Sequence, residues 1–236
     1  MFAENDIAKT GERCYNIKEF GYEIQNVLIT HAHQDHYVPI SSYLRGDCFA
    51  HNLAYEKMYF YGPENLERIY DAVALAYGGV SASIRQNVGF VATEDQTSYR
   101  VGRYVVTALK ALHAPQLGCL NYVIEDGEKS LLYLLDSGYP TEETLAFLGK
   151  RNKPFDCVVM DGTMGVAPAK SYIYHMGFDE NKELKKELIA RGIANENTRF
   201  VVTHITHNKA ETHEKIEKLF EGTDIDVAYD GYELVF

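Results

Sequence analysis

Residues 31–36 read His-Ala-His-Gln-Asp-His and follow Val27-Leu28-Ile29-Thr30, an apolar run that reads as a buried strand. Three imidazoles and a carboxylate therefore gather where a strand gives way to a loop. One small ion rarely takes four ligands from six consecutive residues, because so short a chain cannot wrap it, whereas two ions can share them. On an extended segment His31 and His33 project the same way. Where the backbone turns, Asp35 and His36 can face a second ion beside the first. Imidazole nitrogen and carboxylate oxygen suit zinc, manganese or iron. Ordinary turns draw on Gly, Pro, Asn, Asp and Ser rather than on three histidines, so metal binding outweighs a solvated polar turn. The remaining ligands of a two-ion site must come from elsewhere, and that requirement limits the fold to one in which several strand ends converge.

Short apolar strands alternate with amphipathic helices along the chain, with no repeat, low-complexity tract or long linker. The strand pattern covers 27–30, 57–61, 88–92, 103–109, 120–125, 130–135, 155–160, 199–203 and the final stretch 226–236. Asp126-Gly127 marks a hairpin between 120–125 and 130–135. Helical periodicity covers 63–77, 141–150, 179–191 and 208–221. Pro63 suits a first helical turn and Gly78-Gly79 its end, while Thr141 and Asp179 are the expected N-caps of the next two helices. Nine strands with interspersed helices imply stacked sheets or a mixed sheet covered by helices.

Three further ligand candidates close apolar strands. His113 follows 103–109, Asp136 ends Leu131-Leu132-Tyr133-Leu134-Leu135, and His204 ends Phe200-Val201-Val202-Thr203. Each alone reads as a turn residue, but the recurrence of an apolar strand closed by a metal-ligating side chain makes the set far more specific. Asp161 closes 155–160 in the same way and rivals Asp136 as a bridging ligand, since the strand-then-Asp pattern fits both. Tyr37, beside the first motif, is the tyrosine most suited to line a pocket. His51 and His213 read as ordinary polar residues.

The sequence resembles the metallo-β-lactamase superfamily, in its PhnP-like phosphodiesterase branch. The resemblance is carried by Leu-Ile-Thr-His-Ala-His-Gln-Asp-His at 28–36, His113, Leu-Leu-Tyr-Leu-Leu-Asp-Ser-Gly at 131–138, Thr-His-Ile-Thr-His-Asn at 203–208 and Ala-Tyr-Asp-Gly-Tyr-Glu-Leu at 228–234. It implies an α/β protein, an αββα four-layer sandwich with the site at one edge between two β-sheets, built as a single hydrolase domain over 1–236. It implies that His31, His33 and His113 hold one divalent ion, that Asp35, His36 and His204 hold the other, and that Asp136 bridges them. Zinc or manganese suits these sites, with iron as a further option. The implied activity is hydrolysis of a small, perhaps cyclic, phosphodiester by a metal-bridging hydroxide. Asp35 and His175 are the catalytic candidates, with His175 as proton donor to the leaving alkoxide. Some family members use the position of His207, with an N-terminal cysteine cluster, for a structural zinc; Cys14 stands alone here, so His207 reads as an outer or solvent-facing residue. The resemblance also implies that the usual first strands are missing, since only 26 residues precede Val27. An uncovered sheet edge would invite pairing with another chain, hence a homodimer.

Composition narrows the partners. Thirty-four acidic residues against 23 basic give a net charge of −11, which repels phosphate backbones and weighs against nucleic acid. A small anionic substrate is compatible, because bound cations dominate the field in a metal site. Four scattered cysteines without C-x-x-C fit reduced thiols in the cytoplasm. No apolar run approaches the roughly 20 residues of a membrane span, and the first residues do not read as a signal peptide. A lactone or thioester hydrolase with the same site is the alternative enzyme. A metal-binding scaffold without turnover is the alternative of another class, weakened by the presence of every expected ligand. A carboxylate at position 33 would mark the diiron redox branch, and this chain has His33.

Overall fold

The computed structural model describes residues 24–39, 42, 55, 57–79, 82–206 and 211–236. Two compact units divide at Thr93 and Glu94. Residues 1–23, where the sequence leaves the first sheet edge open, lie outside the described residues, as do Cys14, Cys48, His51 and His207.

The first unit contains a parallel sheet of β1 (Asn26–Leu28), β2 (Met58–Gly62) and β3 (Val88–Ala92), in that order. Val27 lies opposite Phe60, and Phe60 opposite Phe90. Parallel neighbours need a crossover, and α1 (Leu66–Ala76) and α2 (Ala82–Gln86) lie in the connection from β2 to β3. The helix expected from Pro63 starts three residues later, after a turn in which the Leu66 amide donates to the Pro63 carbonyl at 3.2 Å. Gly78 and Gly79 close α1 with φ of 89° and 92°, and the Gly79 amide donates to the Ala74 carbonyl at 2.8 Å. Val27, Ile29, Met58, Phe60, Leu66, Tyr70 and Val88 form the core. Tyr37 belongs to this core rather than to a pocket wall. It is buried edge-on against Phe60, and its hydroxyl donates to the Leu66 carbonyl at 3.4 Å. The apolar ring outweighs the sequence proximity to the motif.

The second unit is built on seven strands: β4 (Ser98–Val101), β5 (Tyr104–Lys110), β6 (Leu120–Glu125), β7 (Ser130–Leu134), β8 (Cys157–Asp161), β9 (Arg199–Thr203) and β10 (Ile225–Val227). Their order is β10-β9-β8-β7-β6-β5-β4, parallel from β10 to β7 and antiparallel from β7 to β4. The Asp126-Gly127 hairpin joins β6 and β7, with Glu125 opposite Ser130. Helices α3 (Glu142–Leu148), α4 (Phe178–Ala190) and α5 (His213–Phe220) supply the rest. Leu145 and Leu148 of α3, Leu184 and Leu188 of α4 and Ile216 and Phe220 of α5 join Val158, Met160, Phe200 and Val202 in one core. Thr141 caps α3 as expected, its hydroxyl accepting from the Thr144 amide at 3.2 Å. Asp179 does not cap α4. The helix starts one residue earlier, and the Glu180 carboxylate reaches back to accept the Gly177 amide at 2.9 Å. Because β7, β8 and β9 are adjacent and parallel, their C-terminal ends emerge along one edge, where open α/β sheets place their ligands. Asp136, Asp161 and His204 stand at those three ends.

Candidate metal centre

In the first unit the chain leaves β1 and folds back on itself. The amides of His36 and Tyr37 both donate to the His33 carbonyl, at 3.0 and 2.8 Å. This turn gathers three rings: the centroids of His33 and His36 each lie 4.5 Å from that of His31. His31 is fully buried, with Nδ1 3.0 Å from the Thr30 hydroxyl and Nε2 2.8 Å from His33 Nδ1. Two imidazole nitrogens this close either share one proton or turn both lone pairs to one cation. Asp35 is exposed, and its carboxylate lies 3.5 Å from His36 Nε2.

In the second unit the cluster is centred on two buried carboxylates. Asp136 Oδ2 faces His113 Nε2 at 3.7 Å, and its Oδ1 lies 3.2 Å from His175 Nδ1 and 3.8 Å from His204 Nδ1. Asp161 Oδ2 lies 3.0 Å from His175 Nδ1 and 3.9 Å from His204 Nδ1. Asp136, Asp161, His175 and His204 each offer a ligand atom within 4.8 Å of the others. Two buried carboxylates that share neighbours are costly without a compensating cation, so a divalent ion on Asp136 and the imidazoles beside it fits this cluster. His113 points its other nitrogen, Nδ1, at the Tyr174 carbonyl at 3.3 Å. That partner orients the ring as metal-ligating histidines are commonly oriented. Asp136 and His204 both adopt left-handed backbone, with φ of 51° and 58°. Asp and His tolerate that conformation better than most residues, and such positions collect at functional sites.

Asp161 has a further task. Its oxygens accept from the Thr163 amide at 2.8 Å, the Thr163 hydroxyl at 3.1 Å, and the amides of Ser137 and Met176 at 3.3 Å each. It thus ties together the segments that carry Asp136 and His175. Gly138 draws the same segments close. Its amide donates to the Leu112 carbonyl at 2.7 Å, and a Cβ there would fall 1.8 Å from the Ile173 carbonyl. Tyr172 stacks on the His175 ring, with centroids 5.9 Å apart at 18°. The sequence reading passed over Thr163, whose hydroxyl lies 2.7 Å from His204 Nδ1. Its one signal is the Asp-Gly-Thr at 161–163 that closes β8. His213 stands apart from these groups on α5, beside Glu217 at 3.4 Å. Cys119 and Cys157 are buried free thiols. Burial pushes both thiols up, Cys157 to about 12, so neither serves as a thiolate near neutral pH.

The family model described as the beta-lactamase superfamily domain matches residues 10–218. No curated protein matches the sequence. Solved structures share the fold. A diphosphatase of the PhnP family is 19% identical, with a TM-score of 0.65 over 90% of this chain and 72% of its own. The metallo-β-lactamase fold protein YhfI from Bacillus subtilis is 14% identical, with a TM-score of 0.63 over 90% of this chain and 78% of its own. Unliganded yeast PDE1 is 14% identical, with a TM-score of 0.63 over 88% of this chain and 67% of its own. The mixed α/β organisation expected from the sequence is therefore that of the metallo-β-lactamase fold.

Proposed function

The chain belongs to the metallo-β-lactamase superfamily, and from that premise we propose that it is a dinuclear metal-dependent hydrolase acting on a small, cyclic or linear, phosphodiester. The observation that carries this reading is the buried Asp136 carboxylate with imidazole nitrogens of His113, His175 and His204 around it. His31, His33 and His113 are proposed for one ion, and Asp35, His36 and His204 for the other, with Asp136 common to both. Zinc and manganese both suit such nitrogen and oxygen donors. Divalent ions held there would acidify water and neutralise charge on a phosphoryl group.

The protein's own groups would do the rest. Asp136 and Asp161 both lie within 3.2 Å of His175 Nδ1, so that nitrogen donates to a carboxylate and the ring is oriented by it. Nε2 of His175 can then give a proton to the departing alkoxide, which a poor leaving group needs. Tyr172 stacked on the ring limits its rotation. Asp35, exposed and 3.5 Å from His36 Nε2, is proposed both as a ligand and as the second catalytic carboxylate.

The choice of bond follows from charge. A monoester dianion calls for lysine or arginine at the phosphoryl group, and the motifs supply carboxylates and imidazoles instead. A diphosphatase of the PhnP family shares this fold, which supports a phosphorus substrate. The deciding experiment is turnover of bis-aryl phosphate, aryl phosphate and lactone substrates by zinc- or manganese-reconstituted protein. The diester should be hydrolysed fastest. A preference for the lactone would transfer the site to the lactone or thioester reading, and turnover of none would favour a metal-binding scaffold. The net charge of −11 repels phosphate backbones and weighs against a nucleic-acid partner, and no described helix is long and apolar enough to cross a membrane. A cytoplasmic site of action and a homodimer remain part of this proposal.

A further inference from the structure

Thr163 is fixed by its own backbone, whose amide donates to Asp161 Oδ1 at 2.8 Å. Its hydroxyl then meets three groups: His204 Nδ1 at 2.7 Å, the His204 carbonyl oxygen at 3.0 Å and Asp161 Oδ2 at 3.1 Å. A hydroxyl has one hydrogen and two lone pairs. Two of the three neighbours are oxygens that only accept, and one of these is a buried carboxylate, the strongest acceptor in reach. The hydrogen therefore goes to an oxygen. The third and shortest contact is then a hydrogen bond only if His204 Nδ1 donates it. We propose that Thr163, anchored by Asp161, locks His204 as the Nδ1–H tautomer and so presents the Nε2 lone pair as the atom that binds a metal ion.

The inference rests on the reading of His204 as a ligand and goes beyond it by naming what prepares the ring. Neutral imidazole has two tautomers, and only one leaves Nε2 able to ligate. The left-handed backbone of His204, with φ of 58°, brings its carbonyl and its ring to the same hydroxyl. Asp161 acts on a second ring in the same sense, since His175 Nδ1 also lies 3.0 Å from Oδ2. One buried carboxylate thus sets two imidazoles, directly for His175 and through Thr163 for His204. Thr163 is a positioning residue, and its effect should appear in the ligand's state before any substrate is present.

Two readouts test this on the full chain. In metal-free protein with 15N-labelled histidine, long-range 1H–15N spectra should show His204 Nδ1 protonated and Nε2 bare. Thr163→Val should convert this to a mixture of tautomers, and Thr163→Ser should restore the wild-type pattern. Zinc affinity, measured by competition with a chromogenic chelator, should fall by about 10–100-fold for one of two zinc equivalents in Thr163→Val, the usual scale for losing a partner of a metal-bound histidine. It should stay near wild type in Thr163→Ser. A bare Nδ1 in the wild-type spectrum overturns the proposal, as does unchanged zinc affinity in a folded Thr163→Val protein. If that variant does not fold, the wild-type spectrum still decides. His204→Ala separates the two levels. Loss of zinc there with unchanged zinc in Thr163→Val defeats the lock alone, whereas full zinc binding in His204→Ala defeats the ligand assignment beneath it.

Discussion

At the scale of single residues, His175 and Asp136 share an atom pair 3.2 Å apart but have different proposed tasks. His175→Ala should leave metal content near wild type while turnover of a poor-leaving-group diester falls roughly 10²–10⁴-fold, the scale for losing a general acid. The loss should shrink for aryl esters, whose leaving groups depart without a proton. Metal analysis beside paired rates checks this, and a metal-depleted His175→Ala protein would make His175 a ligand. Asp136→Asn should do the opposite. Asparagine tolerates the left-handed backbone at φ 51°, so the fold should survive while removal of the charge lowers the occupancy of both ions. The strand-closing ligand candidates could be read from sequence because each announces itself locally, as a metal-ligating side chain after an apolar run. Thr163 could not, because its partner His204 lies 41 residues away and a threonine after Asp-Gly looks like any turn residue. Tyr37 misled for the converse reason. It directly follows the polar metal motif, but its ring is drawn into the core of the first unit.

At the scale of elements, the legible features were those with local chemistry of their own. The hairpin between β6 and β7 is set by Asp126, whose carboxylate accepts the amides of Glu128 and Lys129 at 3.0 and 2.8 Å, and by Gly127 at φ 99°. Gly127→Ala should cost about 1–2 kcal/mol, the strain of a left-handed alanine. Thr141→Ala should cost about 1 kcal/mol for the lost cap of α3. Chemical denaturation checks both. The amides of Lys129 and Glu128 hold the Asp126 carboxyl below its ordinary range. Its contribution to stability is therefore complete above the unfolded aspartate pKa and fades as pH falls through the lowered folded value. Asp126→Asn should flatten that acid limb of the thermal midpoint, and an unchanged limb would assign the acid sensitivity to other carboxylates. β4 was missed because it is a short edge strand whose exposed positions carry Ser98 and Arg100. α2 has only five residues, too few for a period to show. The final strand stops at Val227 instead of running to the end, because Tyr229-Asp230-Gly231 makes a turn with Gly231 at φ 88°.

At the scale of the whole molecule, the sequence could name candidate ligands but not the strand order that gathers three strand ends. Asp136, Asp161 and His204 meet because β7, β8 and β9 are parallel neighbours, and pairing order is a property of the folded sheet. The proposed dinuclear centre has a consequence at this scale, in the number of ions the folded chain takes up. Saturation should require two ions per chain. A ligand that binds only the folded state adds about 2.7 kcal/mol per site at a hundredfold excess over its dissociation constant. Chelation should therefore lower the calorimetric midpoint, and zinc or manganese should restore it in two resolvable increments as the two sites fill. Asp136→Asn should reduce both increments, because the proposed carboxylate serves both ions. Saturation at one ion per chain would sink the dinuclear reading, and an Asp136→Asn protein that loses one increment alone would remove the shared role of Asp136.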